Sequence, residues 1–143
     1  MNANLKIIEK FNSCGYPCEI IKVKSTGILC GYVGITKKHS AFNKNWSDLK
    51  QLKVHGDVTY TNHRNNNNKI WWIGMDCGHT ELGDIIPDIE PTSIGIPIQN
   101  LYATMREIFD DIEDEKLEPE VRDIPFVVKQ LKKLARQLKV MSN

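Results

Sequence analysis

Three of the four histidines, His55, His63 and His79, fall between Val54 and Asp84, in the company of Asp57, Asp76, Asp84 and the adjacent pair Trp71-Trp72. Imidazoles and carboxylates are the groups that shuttle protons near neutral pH or hold a divalent ion. His55, Asp57, Asp76, His79 and Asp84 are therefore the set from which a phosphodiester-cleaving site would be assembled. The competing reading of the same residues is structural: Asp76 and Asp84 lie beside Gly74 and Gly83 and can order tight turns, with His55 bonded to backbone. A third reading is a pocket for a nucleotide-like molecule. A base needs a flat aromatic surface, for which Tyr32, Tyr60, Trp71 and Trp72 are candidates. Phosphate needs cations or bare amides, offered by Lys37, Lys38, Arg122 and the turns at Gly56, Gly78 and Gly83. Ribose hydroxyls are served by Asp or His acceptors. Against each aromatic stands the ordinary possibility that it is core, and in a regular strand Trp71 and Trp72 must point to opposite faces.

Four cysteines complete the reactive inventory: Cys14, Cys18, Cys30 and Cys77. Cys14, Cys18, Cys77 and His79 offer soft ligands, but their spacing matches no common zinc site, and neither a metal nor a cofactor is expected. Cys30 and Cys77 sit in strand-like runs, where a thiol behaves as a small buried hydrophobe. All four are read as reduced, in keeping with a cytoplasmic protein.

The elements that must position these groups begin with a strand-rich region from 5 to 85. Leu5 to Phe11 suits a strand or a short helix. Asn12 to Gly15 is a turn, Pro17 to Val23 a strand, and Ile28 to Ile35 a β-prone run interrupted by Gly31 and Gly34, glycines that signal bulges or close approach. Trp46 to Leu52 reads as a short helix capped near Asn45 or Ser47. Val54 to Thr61 and Ile70 to Cys77 are expected to pair as a hairpin, with Asn62 to Asn68 as a long polar loop between them. The stretch 85 to 97 carries Pro87, Pro91 and Pro97 and reads as an irregular connection. Helical spacing follows over 98 to 140: a first helix between Gln99 and Asp114, then a second opened by Asp123 as N-cap with Pro125 in its first turn. Ile124, Val127, Val128, Leu131, Leu134 and Leu138 form the apolar stripe of that second helix. Arg122, just before the cap, is either solvated or paired with Glu120. The sum is an α+β fold in one domain: an antiparallel β-sheet with a short helix, and two C-terminal α-helices packed on one face.

Composition narrows the function classes. With 143 residues, 41% hydrophobic, 26% charged and a net charge of +1, the chain can bury a core but lacks the basic excess that gripping duplex nucleic acid requires. No apolar run reaches the ~20 residues of a bilayer span, and Met1 to Asn4 does not open a signal peptide. A soluble, cytoplasmic protein is expected.

Several motifs occur together and in order: C-G-Y-V-G-I at Cys30 to Ile35, the Lys38-His39 step, V-H-G-D-V-T-Y at Val54 to Tyr60, W-W-I-G-M-D-C-G-H at Trp71 to His79, the later Gly83-Asp84 pair, and V-R-D-I-P-F-V at Val121 to Val127. Taken together they resemble a group of small proteins encoded by phages and prophages, over nearly the whole span from Cys14 to Leu138 apart from Ile85 to Glu120. That group usually has a second glycine at the position of Asp57, an aromatic at that of Met75 and alanine at that of Gly78, so those three side chains are not expected to be essential.

In type the group is similar to phage proteins that sequester nucleotide immune signals, the cyclic ADP-ribose derivatives of Thoeris or the cyclic oligonucleotides of CBASS. The resemblance implies a homo-oligomer in the infected host's cytoplasm that captures such a signal without cleaving it. Tyr32 or Trp71 would stack on the base, His55, Thr59, Asp76 and His79 would contact ribose, and Lys38 with Arg122 would neutralise phosphate. Cleavage of a cyclic nucleotide by the same His and Asp residues, or inhibition of a host protein through the Trp pair, are the alternatives.

Overall fold

The computed structural model describes residues 3–64, 66–79, 82–86 and 120–142. Five strands form one sheet in the order β1-β2-β3-β5-β4: β1 (Leu5–Ser13), β2 (Tyr16–Val23), β3 (Leu29–Ile35), β4 (Tyr60–Arg64) and β5 (Asn67–Asp76). Every neighbouring pair in it is antiparallel. A second, two-stranded sheet pairs β6 (Asp84–Ile85) with β7 (Glu120–Val121) in parallel. One α-helix, α1 (Ile124–Met141), follows.

Local chemistry explains most of these boundaries. The ambiguous run at Leu5 to Phe11 is a strand, joined to β2 through Cys14 and Gly15, whose φ angles of +54° and +83° are those of a tight two-residue hairpin turn. Asp123 caps α1, its Oδ1 accepting from the Phe126 N–H at 3.1 Å, and Pro125 occupies the first turn.

Alternation along the strands assigns the two faces. Cys18 and Ile20 of β2, Leu29, Val33 and Ile35 of β3 and Ile73 and Met75 of β5 turn to the helix side, where they are buried with Val127, Leu131, Leu134, Ala135 and Leu138 of α1. The helix lies so close to β3 that a Cβ on Gly31 would come within 2.7 Å of Leu131 Cδ2 and 2.8 Å of Val127 Cγ1. Backbone approach is what that glycine provides. On the opposite face the Arg64 guanidinium is held between the rings of Tyr32 and Trp72, 4.4 and 4.1 Å from their centroids, and pairs with Glu19 at 2.6 Å. Gly74 leaves room for the Tyr32 ring, which a Cβ would meet at 2.5 Å.

Four expectations are corrected. Two C-terminal helices were expected on one face; among the described residues there is one, and Gln99 to Asp114 lies outside them, as does the connection beyond Ile86. What fills the helix-side core beside α1 is the crossover from β3 to β4, through Ala41, Leu49, Leu52, Val54 and Val58. The short helix at Trp46 to Leu52 is one 3-10 turn, Trp46–Asp48, capped by Asn45 through its side chain on the Trp46 N–H. The strand expected at Val54 to Thr61 begins only at Tyr60, because Gly56 and Asp57 both take left-handed φ angles, +68° and +65°, that no strand continues through. Pairing instead extends along the Asn-rich stretch as far as Arg64 with Asn67, with Asn66 at φ +59° in the turn.

Candidate functional site

The helix N-terminus, the turn after β5 and the small parallel sheet meet at one end of the main sheet, and Asp84 is the point at which they join. Its side chain is buried, 3% exposed, and takes hydrogen bonds from the β3–β4 crossover, from the residue between β7 and the helix cap and from the turn after β5. His55 Nε2 donates to its two oxygens at 2.8 and 3.0 Å, Arg122 Nε donates to Oδ1 at 2.9 Å, and the His79 backbone N–H donates to Oδ2 at 2.9 Å. Burial alone would push the Asp84 carboxyl up. The bonds from His55, Arg122 and the His79 amide outweigh it and hold the group below the usual carboxylate range.

Each partner is itself fixed. The His55 N–H donates to Gln130 Oε1 of α1 at 3.0 Å, and its ring stands edge-on to Phe126 with centroids 5.1 Å apart. Because a carboxylate only accepts, the proton of neutral His55 is on Nε2, and Nδ1 is the basic nitrogen. Arg122, 8% exposed, also donates to Glu120 at 2.6 Å and to the Leu82 carbonyl at 3.3 Å, and lies 4.5 Å over the Phe126 ring. A second histidine–carboxylate pair adjoins the first. His79 Nε2 lies 3.3 Å from Asp76 Oδ1, and Asp76 also accepts from Thr59 Oγ1 at 3.1 Å and from the Gly78 N–H at 3.0 Å. The imidazoles of His55 and His79 are 6.1 Å apart between centroids. Gly56 makes room for the second of them: a Cβ there would lie 2.5 Å from the His79 ring.

Five of the eight residues expected to bind ligand, His55, Thr59, Asp76, His79 and Arg122, thus belong to this cluster. The other three are elsewhere. Tyr32 is on the sheet face away from α1, edge-on to Tyr60 at 5.2 Å and stacked on Arg64, and burial pushes its phenol well above its ordinary value. Trp71 and Lys38 belong to the far end of β3 and β5, about 17 Å along the strands by the usual rise per residue. The Trp71 indole N–H donates to the Lys44 carbonyl at 3.0 Å, and its ring packs against His63 and Phe42. Trp71 and Trp72 do face opposite ways.

That far end holds a cavity of about 510 Å³ lined by Thr36, Lys37, Lys38, Phe42, Asn68 and Lys69. Three lysines, one phenylalanine and two neutral polar residues line it, with no acidic residue among them. Phe42 and Lys69 carried no motif signal; Phe42 follows Lys38 through the local turns after β3, and Lys69 meets them because β5 pairs with β3. Gln130 was likewise unmarked in the sequence, and Phe126 marked only as part of the Val121 to Val127 motif, since a helix residue's neighbour on a distant loop leaves no local trace.

All four cysteines are free thiols, Cys14 exposed and the others buried or half-buried. Burial pushes the thiols of Cys18 and Cys30 up to about 11 and that of Cys77 up to about 12. Among the described residues no three His, Cys, Asp or Glu side chains are placed to hold a metal ion, and no helix is long and apolar enough to cross a membrane. Comparison with protein-family models, with curated proteins and with solved structures finds no match.

Proposed function

We propose that this protein binds a nucleotide-derived anion in the lysine-lined cavity at the Lys38 end of the sheet and holds it intact. The observation that carries this reading is the lining itself. Lys37, Lys38 and Lys69 converge with Phe42 on about 510 Å³, within the ~300–1,000 Å³ typical of small-molecule sites. Lysines supply point charge for phosphate, and Phe42 supplies a face or edge for a planar base. The adjoining chain adds to the field: from Thr36 to Ser47 it carries Lys37, Lys38 and Lys44 and no carboxylate. The cavity wall contains no imidazole or carboxylate to activate water, which favours capture over cleavage. Sequestration of an immune signal, as the resemblance to phage proteins implies, is the biological role this chemistry suits.

A second reading is favoured by a specific observation at the other end of the sheet. His55 and His79 each carry a carboxylate partner and stand 6.1 Å apart, a separation at which one imidazole could take a proton while the other delivers one across a phosphodiester.

Titration with cyclic ADP-ribose and cyclic dinucleotides, followed by denaturation and mass analysis of the ligand, separates the two. Intact ligand at up to one equivalent, lost in a Lys37→Gln/Lys38→Gln/Lys69→Gln variant of unchanged stability, supports capture. Product formed beyond stoichiometry and abolished by His55→Ala makes the protein a phosphodiesterase. Binding undiminished in the triple lysine variant sinks the cavity assignment.

A further inference from the structure

We propose that the ligand of the lysine cavity is a two-unit molecule, two nucleoside-like moieties joined through phosphate, whose linkage lies at Thr36 and Lys38. The inference rests on the reading of that cavity as the ligand site. What carries it is a second cavity, of about 280 Å³, lined by Tyr16, Pro17, His39 and Ser142 among others, which shares Thr36 and Lys38 with the first. The residues common to both are thus a threonine and a lysine, whose hydroxyl and ammonium groups are the pair suited to a bridging phosphate.

The two compartments differ in charge. The larger has Lys37 and Lys69 beyond the shared Lys38. The smaller adjoins the C-terminal end of α1, where the last carbonyls carry negative partial charge. Its histidine adds no cation-binding or anion-binding capacity, because His39 Nε2 donates to the Leu138 carbonyl at 2.7 Å and Nδ1 accepts from the Ala41 N–H at 2.9 Å. That compartment disfavours a second phosphate and suits a neutral moiety with hydroxyl or amino donors, laid beside the Tyr16 ring. At about 280 Å³ it holds a base or a sugar and not a whole nucleotide ligand, which is below the usual size of a complete site. One unit at Phe42, phosphate at Thr36 and Lys38, and a second unit at Tyr16 together account for both volumes and both charge environments.

Calorimetric titration of AMP, ADP-ribose and cyclic di-AMP tests this. One of the two-unit compounds should bind at least about 100-fold more tightly than AMP, the gain expected when a second contact becomes intramolecular. Ser142→Trp fills the smaller cavity from an exposed position, and Tyr16→Ala empties its aromatic wall. Both should bring the two-unit ligand down toward the affinity of AMP and leave AMP unchanged, while Phe42→Ala weakens both. The Ser142 variant keeps the test valid if Tyr16→Ala fails to fold. AMP binding as tightly as either two-unit compound, or a ratio unmoved by Ser142→Trp, overturns the two-unit ligand and leaves the lysine cavity standing. No binding of any of the three overturns the cavity reading, and the inference with it.

Discussion

Replacing Asp84 with asparagine keeps the shape of the side chain and removes the charge on which His55, Arg122 and the His79 amide converge. Asp84 is 3% exposed and Arg122 8% exposed, so the pair is screened little by solvent. Breaking a buried pair by removing one partner costs about 3–5 kcal/mol. Arg122 keeps Glu120, whose side chain is 64% exposed, as a second partner. That places Asp84→Asn at the lower end, about 3 kcal/mol, or a fall in Tm of about 10 °C for a chain this size. Chemical denaturation followed by tryptophan fluorescence at pH 7 measures it. Because the folded-state pKa of Asp84 is depressed, the stability it contributes is present in full above the ordinary carboxylate value, about 3.9, and is lost as the pH falls through the depressed one. The gap between parent and variant should therefore narrow on acidification below about pH 4. Arg122→Met removes the buried cation, so the double variant should lose less than the two single losses together by about 1 kcal/mol or more. A loss under about 1 kcal/mol for Asp84→Asn, or single losses that simply add, would refute the view of Asp84 as the joint of this end of the fold.

Gly56→Ala places a Cβ on a left-handed backbone, at a cost of about 1–2 kcal/mol, and drives it into the His79 imidazole; the His79 ring resonances should shift in NMR spectra more than those of His39, and unmoved His79 signals count against the packing described. Gly31→Val intrudes on Leu131 and Val127 and should destabilise by about 1–3 kcal/mol in a urea titration, whereas an unaltered midpoint would mean that α1 does not approach β3 so closely. A chromogenic disulfide reagent at pH 8 should label one thiol of the four quickly, Cys14, because Cys18, Cys30 and Cys77 are shielded and their thiolates are suppressed by burial; two or more fast equivalents in the folded protein contradict this.

Period and punctuation in the sequence were enough for the strands β2 and β3, for the final helix with its Asp123 cap and Pro125, and for the opposite facing of Trp71 and Trp72, since each depends on residues within a few positions of one another; Leu5 to Phe11 they left open between strand and helix. The α+β character followed from them. Backbone geometry at Gly56-Asp57 was not legible, because V-H-G-D-V-T-Y has the composition of a strand and only the left-handed angles of its middle pair break it. The Asn-rich stretch misled in the opposite sense: its composition suggests a long loop, yet pairing with β5 continues to Arg64, where a strand partner satisfies the backbone that asparagine alone would not.

The site divides along the same line. That His55, Asp76, His79, Asp84 and Arg122 carry the reactive groups was readable from residue type. That Asp84 binds His55 and Arg122 at once depends on residues 29 and 38 positions away being brought together by β6, β7 and the start of α1. Tertiary structure alone separated Lys38 and Trp71 from that cluster by the length of a strand, and it alone brought Lys69 beside Lys38 and Phe42. Local sequence determines which way a strand's side chains point; which strand lies next to it, and hence what those side chains meet, is decided by the packing of the whole chain.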